Sequence, residues 1–412
     1  MRSPGNSKYV KKLNRMTIIN LIKDNELISR QQIAELTGLT PPAITGIIRE
    51  LIDTGFVKEV GLGESQGGRK PVKLQFNCKA GYVIGIEITS QEITLALADL
   101  KNIPTCIQRV KVDMKDPKLA VQELISIIKQ VTLSKDHRLK KILGIGIAFP
   151  GMQNINDGTV KRAVNLGKKW NDYPLRTTLE NEFSVPIFIE MNSKVAALGE
   201  KWYGGGTGCE NLIYINMGEG ISAGIIMGEC IVQGSQGYAG QIGHTVMIEQ
   251  GALCNCGNRG CLETICGIPA LVRKVNAELP FITGEDALKK RLDLNQEIQI
   301  KDILEVALEE ESYAREVLRQ ANRYVALATS HMINLYNPDA VFIGGKMAIV
   351  AEFFMEEFHE VIASHTFSEV EDATAIVISK LGADSGVMGA CALALKKLLK
   401  SPNTDIFEDI VD

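Results

Sequence analysis

The chain of 412 residues has no apolar run near the ~20 residues that a bilayer-spanning helix needs, which argues against an integral membrane protein of the helical kind. Its first residues, MRSPGNSKYVKKLNRM, are basic but lack the apolar stretch of a secretory signal, so the expected compartment is the cytoplasm. No short internal repeat or low-complexity linker interrupts the sequence. A strong overall charge is missing too, the formal net charge being −4. Apolar residues at 45% and charged residues at 23% are ordinary for a soluble globular protein, and the length allows two or three domains with their own cores.

The small net charge hides an asymmetry. Residues 1–75 carry 12 Lys and Arg against 7 Asp and Glu, a balance of +5, and the remainder carries 33 against 42, or −9. A basic head on an acidic body suggests that only the head meets a polyanion. The nine cysteines are also uneven. Cys78, Cys106, Cys209, Cys230 and Cys391 are scattered, as reduced core thiols are. Cys254, Cys256, Cys261 and Cys266 cluster close after His244, which suggests a metal site.

The head reads as three short helices and a hairpin. LNRMTIINLIKD, residues 13–24, places Leu13, Met16, Ile19 and Ile22 at three-residue spacing, one face of a helix. Ser29 offers an N-cap for RQQIAELTG, which ends at Gly38. Thr40 then caps PPAITGIIRELIDTG, with Pro41 in the first turn, where a missing N–H costs little. Ile44, Ile47, Ile48 and Leu51 form its buried stripe and leave Ala43, Thr45, Gly46 and Arg49 outside. Two helices joined by a tight glycine turn are the helix-turn-helix pattern, whose second helix enters the major groove. The small residues permit close approach to base edges, and Arg49 reaches phosphate or guanine. FVKEVG, LGESQGGRKP and VKLQFN then form strand, loop and strand, the shape of a wing. Gly68, Arg69 and Lys70 at its tip suit a narrow minor groove. A three-helix interaction module with merely solvated basic residues is the alternative; helix pair, wing and charge together favour DNA.

From about residue 79 strands alternate with helices, and glycine turns close the strand ends where ligands usually bind, an α/β architecture. GIAFPGM at 146–152, NLGKKW at 165–170, NSKVAALGE at 192–200, GYAGQIGH at 237–244 and CNCGNRGCLE at 254–263 resemble the ROK family of repressors, open reading frames and kinases. The preceding winged helix resembles its repressor branch. The resemblance implies a two-lobed fold related to actin and hexokinase behind the winged helix-turn-helix domain. Expected boundaries are 1–78 for the DNA-binding domain, 79–190 for the first lobe, 191–400 for the second, and 401–412 for an acidic tail. The second lobe holds the metal site, and its C-terminal helix is expected to return to the first lobe.

The departures from the family's kinases matter most. Those carry an aspartate as general base where this chain has Ser193, and a serine hydroxyl does not act as a general base near neutrality. Their Asp-x-Gly-Gly-Thr phosphate loop corresponds here to Glu87–Ile88–Thr89–Ser90–Gln91, without either glycine. In their second phosphate motif, MGEGISAG at 217–224, Glu219 adds a negative charge. Three such changes are hard to reconcile with phosphoryl transfer, so the chain is not expected to be an enzyme.

The resemblance carries the family's sugar contacts onto Gly151, Asn192, His244 and Glu263, with Ser193 and Gln241 in place of two carboxylates. His244, Cys254, Cys256 and Cys261 offer three thiolates and an imidazole, a closed tetrahedral set for structural zinc. Cys266 is expected to be a core thiol. The implied function is a repressor of carbohydrate uptake or catabolism genes that binds a pseudo-palindromic operator as a homodimer or dimer of dimers and is released by a sugar or sugar derivative. A sugar kinase with a DNA-binding head, or a repressor governed by a protein regulator, are the alternatives.

Overall fold

The computed structural model describes residues 7–62, 71–101, 104–132, 141–283, 286–292 and 297–400. The head comprises α1 (Ser7–Asp24), β1 (Ile28–Ser29), α2 (Arg30–Thr37), α3 (Pro41–Asp53), β2 (Val57–Leu62) and β3 (Val72–Phe76), with the strands in the order β1-β3-β2. A capping box starts α2: the Ser29 hydroxyl accepts from the Gln32 N–H and the Gln32 side chain accepts from the Ser29 N–H. Gly38, at φ 67, closes it in the left-handed conformation that glycine adopts without strain. Thr40 stands at the N-cap of α3 with extended backbone, but its hydroxyl makes no capping bond; the proline start suffices.

The expected stripe of α1 needs correction. Leu13 is 39% exposed, whereas Met16, Ile18, Ile19 and Ile22 are buried. Three-residue steps fall behind the helix period by about 60° each, so three of them carry Leu13 about 180° from Ile22. The buried face runs through Ile18 instead.

The first lobe holds β4 (Tyr82–Ile88), β5 (Glu92–Asp99), β6 (Pro104–Lys111), α4 (Pro117–Thr132), β7 (Ile142–Phe149), a small hairpin of β8 (Met152–Gln153) and β9 (Val160–Arg162), α5 (Leu175–Phe183) and β10 (Ile187–Met191). Its sheet runs β10-β7-β4-β5-β6, with β10 and β7 parallel to β4 and the rest an antiparallel meander. Strands β4 and β7 are buried along nearly their whole length, as their continuous apolar runs require.

The second lobe follows α6 (Asn192–Tyr203). It comprises β11 (Leu212–Met217), β12 (Ile221–Met227), β13 (Cys230–Ile231), α7 (Glu263–Cys266), α8 (Ile268–Glu278), α9 (Ala287–Leu292), α10 (Ile300–Glu309), α11 (Tyr313–Tyr336), β14 (Ala340–Gly344), α12 (Ala348–Phe353), α13 (Met355–Ala363), α14 (Ser368–Glu371) and β15 (Ala375–Ile378). Its sheet order is β13-β12-β11-β14-β15. The last helix, α15 (Ser385–Lys400), lies against β4 and β7 of the first lobe, while α6 lies against β11 and β12 of the second. Strands β4, β7, β10, β11 and β14 all end on one cleft between the lobes, the usual ligand position in an open α/β sheet. Among the described residues, no helix is long and apolar enough to cross a membrane.

Candidate functional site

The interlobe cleft has a volume of about 320 Å³. Gly151, Asn192, Ser193, Gln241, His244 and Glu263 all line it, although they are drawn from four separate segments of the chain. Gly151 follows β7, and a Cβ there would stand 2.8 Å from the Arg162 carbonyl oxygen, so only glycine fits the turn. Asn192 opens α6 and donates from Nδ2 to the Ile88 carbonyl at 2.9 Å, while its Oδ1 is buried with no partner among the described residues. Glu263 opens α7 and accepts the Ile221 N–H at 3.3 Å; burial pushes its carboxyl up to about 7. Asn165, from the NLGKKW motif, faces the same spot, its Nδ2 and the Glu263 carboxylate both flanking Gly220. In the sequence Asn165 is marked only by its place two residues before the turn glycine Gly167.

The two substituted positions, Gln241 and Ser193, behave differently. Gln241 has a thioether contact, Nε2 to Met191 Sδ at 3.6 Å. Ser193 lines the cleft wall but is 1% exposed, and its hydroxyl donates to the Ala223 carbonyl at 3.2 Å. The next residue, Lys194, is fully buried and donates to Gln233 Oε1 at 2.9 Å and the Gly237 carbonyl at 2.7 Å, with Glu190 at 3.5 Å. Burial lowers its pKa, and Glu190 opposes that shift. The ammonium thereby ties the loop that delivers Gln241 and His244 to the base of α6.

His244, Cys254, Cys256 and Cys261 converge so that their ligand atoms lie within 4.8 Å of one another. His244 Nδ1 is 3.6 Å from Cys254 Sγ, and Cys256 Sγ is 3.7 Å from Cys261 Sγ. With Nδ1 turned to the thiols, the other ring nitrogen is left for the cleft. This cluster can hold a metal ion. Cys266 stands apart, buried, with its thiol donating to the Ala321 carbonyl at 3.3 Å.

The far half of the cleft is lined by Glu87, Ser90, Tyr214, Asn216, Glu219, Lys346 and Ser385. Ser90 Oγ donates to Glu219 Oε1 at 2.6 Å, joining the β4–β5 turn of one lobe to the β11–β12 turn of the other. Glu87 lies against Gly386 at the start of α15, and burial, aided by Glu92 and Asp384, pushes its carboxyl up to about 7. Burial raises the Tyr214 hydroxyl well above its ordinary range.

On the head, Thr40, Ala43, Thr45, Gly46 and Arg49 are exposed along one side of α3, opposite the buried Ile44, Ile47, Ile48 and Leu51. Gly68, Arg69 and Lys70 lie outside the described residues, as does the segment 401–412.

A sequence model described as the ROK family matches residues 83–397, and one described as a winged helix-turn-helix DNA-binding domain matches residues 12–58. The chain is 32% identical over 407 residues to the xylose repressor of Caldicellulosiruptor bescii, covering 97% of this chain and 99% of that protein. It is 28% identical over 395 residues to the DNA-binding transcriptional dual regulator NagC of Escherichia coli (strain K12), covering 96% and 95%. Among solved structures, a ROK family transcriptional regulator that is a homolog of the E. coli MLC protein superposes with a TM-score of 0.81 at 26% identity, over 97% of this chain and all of that one. A ROK family glucokinase from Streptomyces griseus in complex with glucose and AMPPNP shares the fold of the body, with a TM-score of 0.66 at 24% identity, over 76% of this chain and 99% of that one.

Proposed function

The chain belongs to the ROK family, and on that premise we propose that it is a cytoplasmic transcriptional repressor that leaves its operator when a sugar or sugar derivative fills the interlobe cleft. The regulated genes serve carbohydrate uptake or catabolism. One observation carries the reading above the others. Asn192 Oδ1 is buried without a partner among the described residues, in a wall shared with Gln241, His244 and Glu263, on a chain that carries a winged helix at residues 12–58. Leaving such an acceptor unpaired costs about 1–3 kcal/mol, and a sugar hydroxyl relieves it. The names of the relatives, xylose repressor and NagC, support a sugar as the effector.

Zinc is the proposed ion. Bonds of about 2.3 Å to sulfur and about 2.0–2.1 Å to nitrogen at tetrahedral angles require S···S edges of about 3.8 Å and N···S edges of about 3.6 Å. Two of the six edges, at 3.7 and 3.6 Å, match that ion, and all four ligand atoms lie within 4.8 Å of one another. Four protein ligands leave no open position, so the ion holds His244 and Glu263 in place and takes no part in chemistry. Kinase activity is absent in this reading: Ser193 supplies no base, and Glu219 occupies the phosphate side in a bond to Ser90.

Operator contact falls to Thr40, Ala43, Thr45, Gly46 and Arg49 on α3 and to Gly68, Arg69 and Lys70 of the wing. A homodimer, or a dimer of dimers, places two such helices about one helical turn apart on a pseudo-palindrome. The test is thermal melting of the purified protein against D-xylose, D-glucose, N-acetylglucosamine and a wider sugar panel, with footprinting upstream of its own gene. One sugar is expected to raise the melting temperature by mass action and to lower operator affinity. A flat panel, or robust ATP turnover with any of these sugars, overturns the reading.

A further inference from the structure

Helices α6 and α15 both start at the cleft and both end under the head. The first turn of α6 carries Asn192 and its last carries Trp202; α15 opens with Ser385 and Gly386 and ends with Leu398 and Leu399. The two helices are tied chiefly to different lobes, although Lys396 of α15 also donates to the Glu229 carbonyl of the second lobe at 2.8 Å. A Cβ at Gly224 of β12 would collide with the Ser193 carbonyl of α6, and one at Gly146 of β7 would collide with the Ala390 carbonyl of α15. They meet each other in the same way. A Cβ at Gly199 would strike the Ser385 carbonyl, and one at Gly389 the Val195 carbonyl. Backbone packed on backbone leaves no side chain to yield, so the crossing serves as a pivot between the lobes.

The head spans that pivot. Asn20 Nδ2 of α1 donates to the Leu399 carbonyl at 3.2 Å, on the first-lobe helix. Three residues on, Lys23 Nζ sits 5.6 Å from the centre of the Trp202 ring, on the second-lobe helix, within cation–π range. Below them Ile18, Ile22, Leu398 and Leu399 share one buried cluster, with Trp202 packed against it. Residues three apart on a helix are neighbours on one face, so a single face of α1 holds one point on each lobe.

We infer that the DNA-binding head reads the angle between the lobes through this two-point seat, so that a change of cleft closure is converted at Trp202 and Leu399 into release or placement of α1. This rests on the cleft being the effector site. Trp202 lies about 4.5 Å beyond Gly199 along its helix, and Leu399 about 15 Å beyond Gly389. A rotation of about 10° at the crossing therefore moves the two points by about 1 and about 3 Å. The Asn20 bond and the Lys23–Trp202 contact cannot both survive that difference. At the cleft end, the Ser90–Glu219 hydrogen bond sets the angle.

The test is a double-mutant cycle read by amide hydrogen exchange of α1, which needs neither sugar nor DNA. Ser90→Ala loosens the cleft, Trp202→Ala removes the seat on the second lobe, and Lys23→Met removes the same contact from the head should Trp202→Ala fold poorly. In the otherwise native chain, Ser90→Ala is expected to speed α1 exchange by about fivefold or more; combined with either seat variant it adds less than about twofold. Additive effects, or no effect of Ser90→Ala on α1, overturn the inference. A second arm uses D-xylose or whichever sugar of the panel raises the melting temperature. The seat variants are expected to keep that shift and lose sugar-driven operator release; release at the native level overturns the inference. If no sugar shifts any variant while the exchange cycle is non-additive, the effector reading falls and the mechanical linkage stands. If a sugar binds and the cycle is additive, the linkage falls and the effector reading stands.

Discussion

The two halves of the interlobe cleft are lined by similar side chains and differ in what those side chains have already bonded. Among the described residues, in the half beside the metal cluster, Asn192 Oδ1 has no partner, Glu263 takes one backbone N–H at 3.3 Å, and the Gln241 side chain reaches only a sulfur at 3.6 Å. In the other half Ser90 and Glu219 bond each other at 2.6 Å, and Ser385 and Ser379 pair at 3.1 Å, while Glu200 Oε2 behind them is buried with no partner among the described residues. Glu87, set into the floor of that half, eases the cost of its own charge by holding its proton to about pH 7. Groups satisfied by the protein gain little from a ligand, whereas unpaired groups gain a full hydrogen bond. One buried acceptor of the cleft, Asn192 Oδ1, is therefore open to a new donor, whereas Ser90 and Glu219 already hold each other.

The largest effect expected from breaking this contrast comes from the metal cluster. Cys261→Ser, or removal of metal with a strong chelator, is expected to abolish the sugar-induced melting shift and to lower the melting temperature by more than any single cleft substitution. Metal-binding free energy is also folding free energy for the segment it closes. Metal analysis alongside melting checks this, and an unchanged sugar response after full removal would show that the cleft holds its shape without the ion.

A smaller loss separates the halves directly. Asn192→Ala is expected to weaken sugar binding by about 10–100-fold, the equivalent of about 1.5–3 kcal/mol, with operator affinity in the absence of sugar changed far less. Equal losses in both would mean that Asn192 holds the lobes and not the ligand.

The smallest expected effect is a pH dependence from the closed half. Glu87 faces Glu92, Asp384, Arg109 and Lys346, and its folded carboxyl titrates near 7 against an unfolded value of about 4.5. Between those values the folded protein keeps a proton that the unfolded chain has released, so Glu87 makes stability fall as pH rises from about 4.5 to about 7 and adds no further slope above that. Glu87→Gln is expected to flatten this part of the stability profile by about 1–3 kcal/mol, seen in denaturant melts across that range. A slope that survives the substitution would assign it to another group.

Much of this was legible beforehand, and the reasons differ by residue. His244, Cys254, Cys256 and Cys261 could be read because imidazole and thiols at short spacing have few other uses in a reduced chain. The Ile44–Leu51 stripe could be read because a helix enforces its own period. Leu13 was misplaced because a spacing of three imitates that period only over short stretches. The polarity of Ser193 is visible in the sequence, while the Ala223 carbonyl that takes its hydroxyl lies 30 residues away and is not.

What the sequence determined by itself was local or chemical: a helix pair with an exposed small-residue face, a histidine–cysteine run that can hold a metal ion, and an alternating α/β body. The tertiary structure alone decided which polar groups were left unpaired, that Ser90 would meet Glu219 across 129 residues, and that Lys23 would find Trp202 at the far end of a cleft helix. Propensity, capping and ligand chemistry act over a few residues and leave their mark in order along the chain. Hydrogen-bond satisfaction and helix crossing depend on which distant segments share a volume, and only the folded chain fixes that.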